Sequence, residues 1–178
     1  MPDTVVTNSP DFAEAKVKRW STGAVVKALD APLMVIRGKE RFVFTSRLHR
    51  THLLARDAFA TSPIIVQRRL RPKDDIRVTV VGDKVFAAEA TGVTKLDWRL
   101  ERRAVKFRAC GISSKVESQC RELVRMLGLR FGAIDLVRSN GTTYFLELNP
   151  NGEWGWLEAA GLPIAAALVD DLIATTRT

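Results

Sequence analysis

The stretch Phe131-Gly132-Ala133-Ile134-Asp135-Leu136-Val137, continued through Ser139-Asn140-Gly141 into Tyr144-Phe145-Leu146-Glu147-Leu148-Asn149-Pro150-Asn151, reads as two apolar strands joined by a tight turn. Asp135 and Glu147 interrupt those strands, and burying an unpaired carboxylate is costly, so each needs a cation or strong hydrogen-bond donors. Successive strand residues alternate faces, and cross-strand neighbours share one. A three-residue loop, Ser139-Asn140-Gly141 with Gly141 at positive φ, pairs odd positions with odd. It sets Asp135, Glu147 and Asn149 on one face, and Ile134, Leu136, Tyr144, Leu146 and Leu148 on the other. A two-residue loop mixes the two sets, so the odd loop is the expectation. Two carboxylates and an amide oxygen then form an incomplete, all-oxygen site. That set suits Mg²⁺, which completes its shell with water and phosphate oxygens. Ion pairs to neighbouring arginines are the structural alternative. A catalytic acid/base pair is a weaker one, because nothing in the sequence separates two pKa values.

Outward from this hairpin the chain alternates helices with antiparallel strands. Ser9-Pro10 predicts a helix start, with Ser as N-cap and Pro at the first helical position, running to about Trp20. Strands follow at Ala24–Leu29, interrupted by Lys27, then at Leu33–Arg37 and Arg41–Thr45 around a turn at Gly38-Lys39; residues 48–60 read as helical. A strand from Ile64 to Arg68 leads into a second hairpin, Ile76–Val81 and Lys84–Ala90, turned at Gly82-Asp83. Ser114 with Glu117 suggests a capping box. Val116, Cys120, Leu123, Val124 and Leu127 continue at helical spacing to Gly128, and Pro163–Thr175 reads as a closing helix. The fold class is α+β, in two lobes, a small one over 1–66 and a larger one over 67–178 that carries the carboxylate hairpin.

Composition narrows the function. Hydrophobic residues make up 46% and charged residues 27%, ordinary for a globular chain. No apolar run suggests a membrane span, and the N-terminus lacks a signal-peptide order, so cytoplasm is the default location. Cys110 and Cys120 are too few for a disulfide framework and are expected to be plain thiols. His49 and His52 lack a matching ligand pattern for zinc. The formal charge of +8 fits a polyanionic partner such as a nucleotide, an acidic peptide or nucleic acid. The basic residues are not interleaved with aromatics, which disfavours nucleic acid.

The segments Asp135-Leu136-Val137 and Glu147-Leu148-Asn149-Pro150 resemble the metal-binding strands of ATP-grasp enzymes. The tail Asn151-Gly152-Glu153-Trp154-Gly155-Trp156-Leu157-Glu158, the run Asp75-Ile76-Arg77-Val78 and the triplet Asp97-Trp98-Arg99 are similar to the microviridin-type graspetide maturases, ATP-grasp ligases that macrocyclise ribosomal peptides. They are less closely similar to ribosomal-protein glutamate ligases. The resemblance implies an ATP-grasp fold, two lobes with antiparallel sheets enclosing the nucleotide. It implies Mg²⁺ on Asp135, Glu147 and Asn149, and Lys27 and Arg77 at the phosphates. It also implies a hinge at Gln67-Arg68-Arg69-Leu70 whose backbone meets adenine, with Asp75 at the ribose. The implied activity is ATP-dependent ligation through an acyl-phosphate, with a precursor peptide supplying Asp or Glu carboxylates and Ser, Thr or Lys nucleophiles.

Physical reading agrees for Lys27 and Arg77, since each interrupts an apolar strand where a cation is useful beside an anion. Solvated positions on a strand face are the plain alternative. Trp154 and Trp156 either flank a substrate pocket or belong to the core. Three departures from the family pattern stand out: Arg68 replaces an acidic hinge residue, no Gly/Ser-rich loop follows Lys27, and the family's additional N-terminal domain is not represented. The last implies a separate N-terminal domain or second subunit, or else a partial, inactive nucleotide-binding relative.

Overall fold

The computed structural model describes residues 1–29, 33–101 and 103–176. The chain divides into two compact units, Met1–Arg71 with Val93–Ala104, and Pro72–Gly92 with Val105–Thr178.

The first unit is built on a four-stranded sheet. Its strands are β1 (Thr4–Thr7), β2 (Ala24–Ala28), β5 (Ser46–Arg47) and β6 (Ile64–Arg68), in the order β1-β6-β2-β5. Between β2 and β5 a separate hairpin pairs β3 (Leu33–Ile36) with β4 (Lys39–Phe42). Its turn falls at Arg37-Gly38, both at positive φ, one residue earlier than expected. Helix α1 (Pro10–Val17) starts as predicted, with Ser9 Oγ accepting from the Phe12 amide at 3.3 Å. The single helix expected over 48–60 is two short ones, α2 (Arg50–Leu54) and α3 (Arg56–Ala60), divided at Ala55. Ala13, Ala24, Phe59 and Val66 form the core, with Trp20 packed against it. The 93–104 segment is fastened back by one carboxylate. Asp97 is buried, accepts from the Thr45 amide at 3.1 Å, and takes two bonds from the Arg99 guanidinium at 2.9 Å.

The second unit is a five-stranded antiparallel sheet with a helix on each face. Strands β7 (Asp74–Val81), β8 (Lys84–Thr91), β9 (Lys106–Ala109), β10 (Phe131–Ser139) and β11 (Thr142–Asn149) lie in the order β11-β10-β7-β8-β9. Ile76, Val78 and Val80 alternate to one face and pack with Ile134, Leu136 and the inner side of α4 (Ser114–Met126). The helix is capped by Ser113 Oγ, which accepts from the Val116 amide, so the cap lies one residue before the predicted Ser114. Val81 and Ala88 lie on the opposite face under Leu157, Ile164 and Ala167, contributed by a 3-10 turn over Gly155–Ala160 and by α5 (Ile164–Thr176). Burying each such branched side chain contributes about 1.5–3 kcal/mol, so the two clusters fix both faces of the sheet.

The β10–β11 hairpin departs from the expected turn. Ser139 pairs with Thr142, leaving a two-residue Asn140-Gly141 turn with both residues at positive φ. That is the type I′ geometry favoured by Asn-Gly. Leu136 pairs with Phe145 and Asp135 with Glu147, so Leu146 is an extra residue, a β-bulge. The bulge restores the odd-to-odd register that the loop does not provide. Asp135, Glu147 and Asn149 share a face as expected, but Tyr144 and Phe145 exchange places. Phe145 packs on the α4 side, while Tyr144 stands opposite Val137 on the carboxylate side.

Three tests follow from the packing. A Cβ on Gly132 sits 2.7 Å from Val124 Cγ2 and 3.4 Å from Leu148 Cδ1, so Gly132→Ala is expected to lower stability by about 1–3 kcal/mol, read as a fall in the denaturant midpoint. Burial pushes the Asp97 carboxyl up, but the Arg99 hydrogen bonds and charge, with the Thr45 and Arg99 amides, outweigh it and hold it below the usual carboxylate range. A depressed carboxyl stabilises the fold above its unfolded pKa, and that stability is lost as pH falls through the folded value. With the Arg99 side chain 42% exposed, Asp97→Asn is expected to cost only about 1–2 kcal/mol at pH 7. The difference from wild type should shrink in thermal melts below about pH 4. Burial, aided by Glu117, pushes the Cys120 thiol up to about 11, whereas Cys110 is half-buried. Thiolate is the reactive form, so maleimide at pH 8 should label native Cys110 well before Cys120.

Candidate functional site

The candidate site side chains of the second unit stand on the sheet face away from α4. The antiparallel register places Arg77, Asp135 and Glu147 in one row across β7, β10 and β11. The next row is Thr79, Ala133 and Asn149, and the row on the other side is Asp75, Val137 and Tyr144. Alternation explains the grouping: Ile76, Val78, Ile134 and Leu136 must face the core, which turns their neighbours outward. Further along, the face is closed by Gly152, whose hydrogen faces Ala133 so tightly that a Cβ would collide with the alanine methyl. The apolar floor thus ends where the carboxylate row begins.

Within that row the charges differ in exposure. The Arg77 side chain is 14% exposed and Asp135 23%, and Arg77 Nε lies 3.2 Å from Asp135 Oδ1. Glu147 is exposed. Asn149 uses Oδ1 to accept from the Asn151 amide at 2.8 Å, an Asx turn that fixes the side chain where β11 ends and leaves its second lone pair. The donors are therefore oxygens alone, two of them charged, fixed by the register of a buried sheet. That set fits a hard divalent cation such as Mg²⁺. The ion pair that sequence reasoning weighed as an alternative is present for Asp135, and Arg77 is its partner. For Glu147 no such pair occurs among the described residues.

Asp75 is oriented by a residue that sequence reasoning did not single out. Lys73 Nζ donates to both of its carboxylate oxygens, at 2.8 and 2.6 Å. The side chains are 13% and 21% exposed. The signal available in the sequence was the Lys-x-Asp spacing at a strand start, which puts both side chains on one face. Trp154 and Trp156 pack against the second cluster, with Leu157 and Phe107, as the core option anticipated.

The remaining predicted residues lie in the first unit. Lys27 is half-buried on β2, opposite Ile65. Gln67 is buried in the central strand β6, and its side-chain amide donates to Thr4 Oγ1 at 2.8 Å. The Arg68 amide donates to the Asp3 carbonyl at 2.8 Å and the Arg69 amide to the Gly23 carbonyl at 3.0 Å. The Arg69 carbonyl accepts from Thr22 Oγ1 at 2.5 Å. Arg69 and Leu70 lie beyond the end of β6. Arg68 Nε pairs with Asp3, a carboxylate just before β1, at 3.2 Å. Arg69 differs. Burial, then the like charges of Arg47 and Arg71, depress its guanidinium pKa, so this corner of the unit is electropositive.

Comparisons with known proteins agree with this fold. No curated protein matches. Solved structures do. The macrocyclase MdnC of Microcystis aeruginosa, bound with precursor peptide MdnA, is 26% identical with a TM-score of 0.84, over 98% of this chain and 55% of that one. A RiPP-associated ATP-grasp ligase of Chryseobacterium gregarium, in complex with ADP and a leader and core peptide, is 27% identical with a TM-score of 0.89, over 98% and 55%. The ATP-grasp ligase PsnB, complexed with a precursor variant, Mg and ADP, is 26% identical with a TM-score of 0.76, over 99% and 54%. The chain thus spans about half the length of these structures. The family model of the RimK-like ATP-grasp domain matches residues 3–172. By that match over nearly its whole length, the chain belongs to the RimK-like ATP-grasp family.

Proposed function

We propose that this chain forms the nucleotide-binding part of a ligase that uses ATP to activate a peptide carboxylate. The observation that carries the reading is the row Arg77, Asp135 and Glu147, with Asn149 beside it, on one sheet face. In this reading Asp135, Glu147 and Asn149 hold Mg²⁺, which when bound neutralises phosphate charge. Arg77 meets the terminal phosphoryl group, and Lys27 the nucleotide phosphates. The Gln67-Arg68-Arg69-Leu70 run meets adenine through its backbone. Because the Arg68 and Arg69 amides are already bonded within the first unit, the weight of that contact falls on Leu70. Asp75, oriented by Lys73, is assigned to the ribose. The small lobe is assigned to residues 1–66 and the large lobe to 67–178.

The chemistry proceeds in two steps. A carboxylate oxygen of a peptide Asp or Glu attacks the terminal phosphorus of ATP, forming an acyl-phosphate and releasing ADP. A Ser or Thr hydroxyl, or a Lys amine, then attacks the acyl carbon. The C–O bond to phosphate breaks, the nucleophile loses its proton, and inorganic phosphate leaves with an ester or amide formed. Charge stabilisation by Arg77 and Lys27, and positioning of the two substrates, are what the protein contributes. No protein nucleophile takes part. Support for a peptide substrate comes from the three structures that the chain resembles, each of which holds a precursor, a precursor variant, or a leader and core peptide.

Because the chain spans about half the length of those structures, a second reading is a nucleotide-binding unit that acts only with a partner chain. One experiment separates the two. Calorimetry should show Mg-ATP binding by wild type. Glu147→Gln should weaken it by on the order of 10- to 100-fold, the scale on which even outer-sphere partners of a metal act. Mass spectrometry of a Thr- and Glu-rich peptide incubated with protein, ATP and Mg²⁺ should then show loss of water. Binding without that loss, restored by an added partner domain, selects the second reading. Undiminished binding by Glu147→Gln contradicts the metal assignment in both.

A further inference from the structure

We infer that Trp156 is a positioning residue for Arg77: its indole, backed by Phe107, sets the guanidinium plane while leaving that group's charge and hydrogen-bond donors available to an anion. The inference rests on the reading of Arg77 as the contact to the terminal phosphate.

Three observations carry it. Arg77 is nearly buried, yet its Nε–H, which reaches no solvent, makes no hydrogen bond among the described residues. The Asp135 oxygen 3.2 Å away gives it an ion contact whose alignment fails as a hydrogen bond. A single point of charge attraction fixes where a guanidinium lies but not how its plane turns. The Trp156 ring supplies the missing constraint, with Arg77 Cζ 5.8 Å from the ring centroid.

Trp156 is itself held firmly. The Phe107 ring packs on it at a centroid distance of 4.2 Å and an interplanar angle of 54°. Its turn is closed by the Leu157 amide donating to the Trp154 carbonyl at 2.8 Å, and Leu157 is completely buried in the second cluster. A chain of contacts therefore runs from the α5-side core through Phe107 and Trp156 to Arg77.

An aromatic face suits this task better than a second carboxylate. A carboxylate would occupy the guanidinium N–H groups and cancel its charge. A π-face attracts the cation through its quadrupole and leaves all the in-plane donors unused. An arginine held in this way meets a phosphate without first breaking a bidentate salt bridge. The sequence also explains the placement: the Gly155–Ala160 turn begins at Trp154, so the ring at 156 lies one step from the buried Leu157 anchor.

The test uses the full chain and two readouts. The first is the ¹⁵N order parameter of the Arg77 side-chain Nε–H in the nucleotide-free protein. It should be high in wild type and in Trp156→Phe, and low in Trp156→Leu and Phe107→Leu. The second is the ratio of Mg-ADP to Mg-ATP dissociation constants by calorimetry. It should fall about three- to tenfold in Trp156→Leu and be largely retained in Trp156→Phe, as expected for the loss of one desolvated cation–π contact. A merely structural tryptophan would lower thermal stability and leave the ratio intact. Equal order parameters in wild type, Trp156→Phe and Phe107→Leu, with Trp156→Leu folded or not, would overturn the inference. If wild type binds neither nucleotide, the phosphate reading of Arg77 fails, while the order parameters still decide whether Trp156 fixes its side chain.

Discussion

The site depends on one extra residue in a β-strand. An Asn-Gly turn of two residues joins β10 to β11, and left alone it would pair Asp135 with an even-numbered partner. Glu147 and Asn149 would then point toward α4, into a core of Val78, Ile134 and Val124. A carboxylate there would be unpaired and desolvated, a state that proteins avoid. The bulge at Leu146 moves the strand by one and restores both requirements at once. Leu148 packs into the core, and the oxygens emerge on the far face beside Arg77. Bulges at functional edges commonly re-aim side chains in this way.

The rest of the second unit serves that row. Alternation in β7 buries Ile76, Val78 and Val80, which obliges Arg77 to stand out on the other side. Gly132 lets α4 approach β10 closely, and Gly152 lets the chain after β11 fold back over Ala133. Both are small because a methyl would collide, not because the backbone needs unusual angles. The aromatic turn then covers the apolar part of the face and stops at the charged row, where Trp156 meets Arg77. The first unit uses a different economy of charge. Asp97 and Asp3 each occupy an arginine, whereas Arg69 is crowded by the like charges of Arg47 and Arg71.

Much of this was legible in the sequence because its signals are local. The α+β class, the hairpin at Gly82-Asp83, the helix start at Ser9-Pro10 and the shared face of Asp135 and Glu147 follow from turn chemistry and period-two alternation. The shared face of Asp135, Glu147 and Asn149 was right and the loop and register behind it were wrong. A three-residue loop and a two-residue loop plus bulge give the same parity at residue 147, but the first would set Asp135 opposite Phe145, whereas the second sets it opposite Glu147 and exchanges the faces of Tyr144 and Phe145. Nothing in Phe145-Leu146-Glu147 marks Leu146 as the extra residue, since a bulge carries no fixed residue type outside its glycine form. Strand β1, the return of Val93–Ala104 to the first unit, and the Lys73, Asp3 and Trp156 contacts were missed for another reason. Each joins groups through tertiary packing, which periodicity does not report.

The most direct test of the account is where a divalent ion sits. Crystals grown with ADP and Mn²⁺, a faithful substitute for Mg²⁺ at oxygen ligands, should give an anomalous peak bonded to carboxylate oxygens of Asp135 and Glu147. Asn149 Oδ1 should lie within the same coordination shell. A peak elsewhere, or Glu147 turned toward α4 with no metal near Asp135, would contradict it.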